Sequence, residues 1–262
     1  MRVDVDARCD IGCVRQNNED MILVGDRLLR DAVLGTRLEA APTERLVLAV
    51  ADGMGGAAAG EHASDYALSR LSAFMQAVPA DLDDADLAGV LELWAYRTHA
   101  ELLAQGADDP QRSGMGTTVV GLLLAGGRGW RFHAGDSRLY RRRDGVLQCL
   151  TQDHSLRQAS GNADMPANLL VNALGGGGES FLECAEIADG IRPFDRFLLC
   201  SDGLTEMVDD ADIARALMAD RETAARTLVQ LARQAGGLDN ISVLIADIPR
   251  APASDASCLS DA

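Results

Sequence analysis

A chain of 262 residues with 47% hydrophobic and 24% charged residues has enough apolar material for one full core, built from Ala, Val, Leu and Ile because aromatics are only 4%. The 40 Asp+Glu against 24 Lys+Arg give a formal net charge of -16, which repels phosphate-rich polymers and excludes a non-specific nucleic-acid binder. No apolar run approaches the roughly 20 residues that span a bilayer, MRVDVDARCD has no signal core, and Cys9, Cys13, Cys149, Cys184, Cys200 and Cys258 form no CxxC pair, so a cytoplasmic chain with reduced thiols, no membrane association and no zinc knuckle is expected.

Weak alternation over residues 3–9 predicts a first strand, 21–24 a second and 46–51 a third, with 26–45 a connection between strands. Two helices follow. Ala67, Leu68, Leu71, Phe74, Met75 and Val78 share one face at 3.6-residue spacing, and Leu87, Val90, Leu91, Trp94 and Thr98 share another. Gly114-Met115-Gly116 lacks the spacing of a nucleotide loop and reads as a tight turn entering the strand 117–124. Further strands are predicted over 130–134, 138–142 and 146–150, with Asp144-Gly145 as a hairpin signal and Arg141-Arg142-Arg143 read as its solvated, edge-protecting tip in preference to a basic landing patch for a phosphopeptide. The Gly175 to Gly178 run reads equally as a lid hinge or a loose loop. After a strand at 197–200 come a short helix over 213–218, entered through Asp209-Asp210, and a longer one over 224–235, stopped by Gly236-Gly237. The last strand is 241–246, and the small, polar residues 250–262 are expected to be a disordered tail. Strands and helices do not alternate one for one, so the fold class is α+β, with mostly antiparallel sheets covered by helices and a single domain over 1–249.

The informative pattern is acidic residues at strand ends. LVLAVADG places Asp52 after an apolar run, FHAGDS places Asp136, FLLCSDG places Asp202, LDNISVLI places Asp239 just before one, and NNEDMILV places Glu19 and Asp20 before another. One such acid is ordinarily a turn former. Several that converge would repel one another by several kcal/mol even at an effective dielectric near 20, with only Arg15 and Arg138 close in sequence to offset them. Divalent cations with oxygen ligands resolve that repulsion, and the absence of a His-rich or Cys-rich signature favours Mg²⁺ or Mn²⁺ over zinc.

The motifs RQNNED (15–20), VADGMGG (50–56), GMGTT (114–118), HAGDSRLY (133–140), TQDHSL (151–156), NALG (172–175), CSDGLTE (200–206) and DNISVLIA (239–246), in this order, resemble those of the bacterial type 2C metal-dependent protein phosphatases, the PPM family. The resemblance covers about residues 8 to 247. It implies a four-layer αββα sandwich, two mostly antiparallel sheets flanked by pairs of helices. It also implies a protein serine/threonine phosphatase that attacks phosphoserine and phosphothreonine directly with a metal-bridging hydroxide. By position, Asp52 matches the carboxylate bridging two metals, Gly53 a backbone ligand, Glu19 a ligand on one ion, and Asp202 and Asp239 ligands on the other. Asp136 with Asp202 matches a third, weaker metal site, Asp20 the acid that orients attacking water, and Arg15 the phosphate grip. Mn²⁺ or Mg²⁺ as cofactor, phosphorylated proteins as substrates, a cognate eukaryotic-like Ser/Thr kinase as partner and a monomeric state follow as expectations.

Two positions depart from the family pattern. Met54 stands where eukaryotic members often carry His, and a thioether has no proton to give a leaving group. The segment 155–173, where the family places a mobile flap, is short. Two competing readings remain: a catalytically dead relative acting as a binding or sensing module, against which Asp52, Asp202 and Asp239 are all retained, and a two-metal nuclease, against which the charge of -16 speaks.

Overall fold

The computed structural model describes residues 1–41, 43–162, 164–166 and 169–250. Its first half holds strands β1 (Arg2–Asp10), β2 (Asp20–Val24), β3 (Arg27–Leu29), β4 (Val33–Glu39) and β5 (Arg45–Met54), then helices α1 (Ala57–Ala77) and α2 (Leu87–Asp108). Strands β6 (Gly116–Thr117), β7 (Val119–Ala125), β8 (Arg128–Ala134), β9 (Arg138–Arg143) and β10 (Val146–Cys149) follow, then the short α3 (Leu156–Ser160). The chain closes with β11 (Leu174–Gly175), β12 (Glu183–Glu186), β13 (Arg196–Cys200), α4 (Asp202–Thr205), α5 (Asp210–Ala216), α6 (Arg221–Gln234) and β14 (Ile241–Asp247).

Two antiparallel sheets stack face to face. One runs β10-β9-β13-β14-β1-β4; the other runs β11-β6-β5-β7-β8-β12, with β2 and β3 joined through β5. Alternation within strands sorts side chains into three apolar layers. Val47, Ala49 and Ala51 of β5 face α1 and α2 with Leu68, Leu71, Leu91 and Trp94. Leu48 and Val50 face the opposite sheet, meeting Val3, Val5, Phe197, Leu199 and Leu244. Ile241, Val243 and Ile245 of β14 face α5 and α6 with Ile213, Leu228 and Ala232. Helices outside both sheets explain why β5, β7 and β14 read as nearly continuous apolar runs although they are antiparallel. The order of layers is helix, sheet, sheet, helix, as the resemblance implied.

Local signals placed several elements well. Asp209 and Asp220 cap α5 and α6, accepting from Asp212 N and Thr223 N. Asp144 and Gly145 both have positive φ, 50° and 83°, as the two-residue β9–β10 hairpin requires. Two expectations need correction, and a third in part. Residues 26–45 are not a mere connection, because β4 pairs with β1 from Arg2↔Glu39 to Arg8↔Val33. Its alternating Leu34, Thr36 and Leu38 were masked by the intervening Gly35 and Arg37. The Arg141 to Arg143 run is not a solvated tip: Arg141 is buried and donates to Gln148 Oε1, and Arg143 makes a two-pronged pair with Asp195, whose side chain is wholly buried. Of the Gly175–Gly178 run, Gly175 closes the β11–β6 ladder opposite Gly116, while Gly176–Gly178 form an exposed turn. Residues 251–262 of the expected tail, and part of the 155–173 segment, lie outside the described residues.

Candidate active site

Antiparallel pairing brings the end of one strand beside the start of its neighbour, and the acids stand at those junctions. Asp20 opens β2 directly opposite Asp52 near the end of β5. Asp202 follows β13, and Asp239 precedes its partner β14. Asp136 sits in the turn from β8 to β9, and Arg15 in the loop after β1. All of these ends fall on one edge of the sandwich. There a cavity of 430 Å³ is lined by Arg15, Glu19, Asp52, Gly53, Asp136, Asp202 and Asp239, with Glu206 added, so six acids face one base. A larger cavity of 660 Å³ at the other end, lined by Met1, Leu124, Ile191, Pro193 and Ile248 among others, gathers no comparable set of acids.

The backbone fixes this cluster tightly. Gly53 N donates to Glu19 O at 3.1 Å, and Thr118 N and Thr117 Oγ1 both donate to Asp52 O. A Cβ on Gly53 would lie 2.0 Å from Gly60 O, and one on Gly60 would lie 2.1 Å from Glu19 Oε2, so the Glu19 carboxylate approaches α1 only because both positions are Gly. Asn240 accepts from Glu19 N at 2.8 Å and donates to Ile11 O and Asn17 O at 3.0 Å, tying the two halves of the cluster together.

Asp20 is placed differently from the other acids. It is fully buried and does not line the cavity. Ser201 Oγ donates to its Oδ2 at 2.7 Å, while its Oδ1 has no partner among the described residues. Burial, opposed by the serine bonds and reinforced by Asp202 and Asp239, pushes its pKa up to about 7. Burial first and then neighbouring carboxylates raise Asp136 to about 8 and Asp202 to about 6, and hold Asp52 well above the usual range. Arg15 Nη2 donates to Asp239 Oδ2 at 2.6 Å, leaving the guanidinium half exposed at the mouth.

The donor set suits hard divalent cations: every side chain offered is a carboxylate, and Asp202 Oδ1, like Asp20 Oδ1, is buried without a partner. Among the described residues no three carboxylates lie within 4.8 Å of one another, so the acids face the cavity without forming a closed cage. The group that does lie so close is His133, His154 and Glu183, outside the cavity. Gly135 N and Asn172 Nδ2 both reach His154 Nδ1, at 3.2 and 2.8 Å, so its proton sits on Nε2 and that nitrogen has no lone pair for a metal.

The structure brings together Arg15, Glu19, Asp52, Gly53, Asp136, Asp202 and Asp239, and places Asp20 just beneath them. The sequence reading missed Glu206, Asn240 and Ser201. Glu206 lies one helical turn from Asp202, its N–H donating to Asp202 O at 2.8 Å, a spacing that could have revealed it. Met54 lines the cavity, and no histidine does.

The model of the family described as protein phosphatase 2C matches residues 25–235. The chain is 36% identical over 258 residues to the serine/threonine protein phosphatase PstP of Mycobacterium tuberculosis, covering 92% of this chain and 44% of that protein, so it spans less than half of that relative's length. It is 31% identical to the serine/threonine phosphatase stp of Listeria innocua, covering 92% of this chain and 94% of that one. A crystal structure of the catalytic domain of PstP with two manganese ions superposes with a TM-score of 0.75 at 35% identity, covering 95% of this chain and all of that one. The chain belongs to the protein phosphatase 2C family.

Proposed function

We propose that the chain is a metal-dependent phosphatase that hydrolyses phosphoserine and phosphothreonine in proteins. The observation that carries this reading is the convergence of Glu19, Asp52, Asp136, Asp202 and Asp239, from distant stretches of sequence, around one arginine in one cavity. Glu19, Asp52 and Gly53 would hold one Mn²⁺ or Mg²⁺; Asp52, Asp202 and Asp239 a second; Asp136 and Asp202 a third, weaker one. Such ions, when bound, polarise phosphoryl oxygens and lower the pKa of water.

The chain's own residues do the rest. The planar fork of Arg15 binds two phosphate oxygens at once, and its perch at the mouth, half exposed, sets the depth at which a phosphorylated side chain stops. Asp20, pinned by Ser201 below the floor, adds negative charge behind Asp52 and orients what lies above it. Substrates reach the site as phosphorylated loops, because the cavity opens at the sandwich edge and the net charge of -16 disfavours polyanions. A Ser/Thr kinase with shared substrates is the partner this activity opposes, and the chain acts as a cytoplasmic monomer in which 1–249 form the catalytic domain. Among the described residues no helix is long and apolar enough to cross a membrane.

Hydrolysis of a phosphothreonine peptide with Mn²⁺, with and without chelator, tests the proposal, beside Asp239→Ala. Metal-dependent turnover lost in the variant is expected. No turnover by the metal-loaded protein would leave a binding module instead, and turnover of single-stranded DNA in place of phosphopeptide a nuclease.

A further inference from the structure

His154 does not line the acid cavity, yet it holds the backbone that carries Asp136. His154 N donates to Gly135 O at 2.9 Å, and Gly135 N donates to His154 Nδ1 at 3.2 Å. One residue therefore grips both polar groups of Gly135. That glycine has φ 116°, and a Cβ there would lie 2.6 Å from Thr118. Asp136, next in the chain, is 8% exposed, and its carboxylate accepts no hydrogen bond from any other described residue. Its direction into the cavity comes from the backbone that precedes it.

The acceptor role of Nδ1 is enforced from the other side. Asn172 Nδ2 lies 2.8 Å from Nδ1 and also donates to Phe181 O at 2.9 Å. Asn172 Oδ1 accepts from Phe181 N and Ser180 Oγ, which fixes which end of the amide faces the imidazole. Val171 N donates to His154 O at 2.9 Å, and Leu170, one residue earlier, lines the cavity. The imidazole stacks on His133 with ring centroids 4.4 Å apart and meets the Phe181 ring at 4.9 Å, contacts that restrain it.

We infer that His154 is a positioning residue: through Nδ1 it fixes Gly135 and aims Asp136 into the cavity, and through its carbonyl and Val171 N it ties that acid to the cavity wall at Leu170. The inference rests on the reading of Asp136 as an acid of the weaker third cation. Side chains that orient a ligand in this way typically change metal affinity 10–100-fold when altered.

The test uses the geometry of substitutions. In His154→Asn the amide oxygen takes the place of Nδ1; in His154→Gln it takes the place of Nε2 and Nδ1 is lost. Two readouts apply: amide hydrogen exchange of the peptide containing Gly135 in chelator, with no metal present, and Mn²⁺ binding counted by electron paramagnetic resonance. His154→Gln is expected to speed exchange at Gly135 about tenfold and to weaken the last Mn²⁺ bound about tenfold while the tighter ions are unchanged. His154→Asn is expected to stay close to the parent in both. Parent-like exchange in His154→Gln, or equal damage in both variants, overturns the inference. Asp136→Asn is the control: if it leaves the weakest Mn²⁺ unaffected, the third-cation reading fails, and the exchange arm still decides the role of His154.

Discussion

Asp52→Asn should stabilise the metal-free fold while abolishing its chemistry. Burial raises the Asp52 pKa first, and the charges of Asp20, Asp202, Asp136 and Asp239 raise it further; among the described residues no donor pairs with its carboxylate in compensation. One like-charged pair at 4 Å costs about 4 kcal/mol at an effective dielectric near 20. Water in the cavity screens part of this, so a net relief of about 2 kcal/mol is a fair figure for removing one charge. At roughly 2–4 °C per kcal/mol for a domain of this size, the variant should melt about 4–8 °C above the parent in chelator at pH 8. The pH dependence has a definite sign. These acids have raised folded pKa values, so the folded chain binds more protons than the unfolded one between the ordinary carboxylate value of 3.8 and about 8. Stability of the metal-free parent therefore falls as pH rises through that window, and the advantage of Asp52→Asn is complete at its top and fades towards its bottom. Saturating Mn²⁺ reverses the ranking: each ion at 100 times its Kd adds about 2.7 kcal/mol to the parent, and the variant has lost the shared ligand. Calorimetric melts at pH 5 and pH 8, with chelator or Mn²⁺, measure all of this. A variant that melts below the parent in chelator at pH 8 would refute the claim that the acids repel one another without cations.

Arg15→Ala should raise KM for a phosphopeptide tenfold or more with a smaller effect on kcat, since a two-pronged phosphate contact is lost; steady-state kinetics with an unchanged KM would remove Arg15 from the site. Arg143→Ala leaves the wholly buried Asp195 carboxylate with the Arg192 N–H but no counter-charge and should cost about 3–5 kcal/mol, read as a fall in Tm of roughly 10 °C; a shift within about 2 °C would show the pair to be dispensable. Gly60→Ala pushes a methyl towards Glu19 Oε2 and should weaken Mn²⁺ binding at least tenfold with little loss of helix content by circular dichroism; calorimetric titration matching the parent would mean that Glu19 is not a ligand.

Most of the site was legible because its signal is local: an acid where an apolar run stops needs only the strand to be recognised. LVLAVADG and FLLCSDG announce β5 and β13 and, in the same letters, Asp52 and Asp202. What the strands alone left open was convergence, and the motif order resolved it only by resemblance. Glu206 was missed because its only signal is the four-residue spacing from Asp202, which was not used, and Ser201 because a hydroxyl says nothing of the carboxylate it will hold. The buried Arg143–Asp195 pair was misread for a related reason: the partners are 52 residues apart, and a charge run at a hairpin looks solvated until its distant neighbour is known.

The placement of Asp20 shows how pairing register converts adjacent letters into different roles. Glu19 precedes β2 and Asp20 opens it, and the two consecutive side chains leave the backbone in different directions. Glu19 goes over Gly60 to the cavity, and Asp20, opposite Asp52, goes inward to Ser201 between the sheets. A carboxylate there is tolerable only while something nearby offsets it, and among the described residues its one hydrogen-bond donor is the Ser201 hydroxyl. The same burial that makes Asp20 costly keeps it out of reach of substrate. Its influence must pass through Asp52 and whatever Asp52 binds, which separates it from Arg15 in kind: loss of Arg15 should be felt in substrate affinity, and loss of Asp20 in the properties of the bound cations.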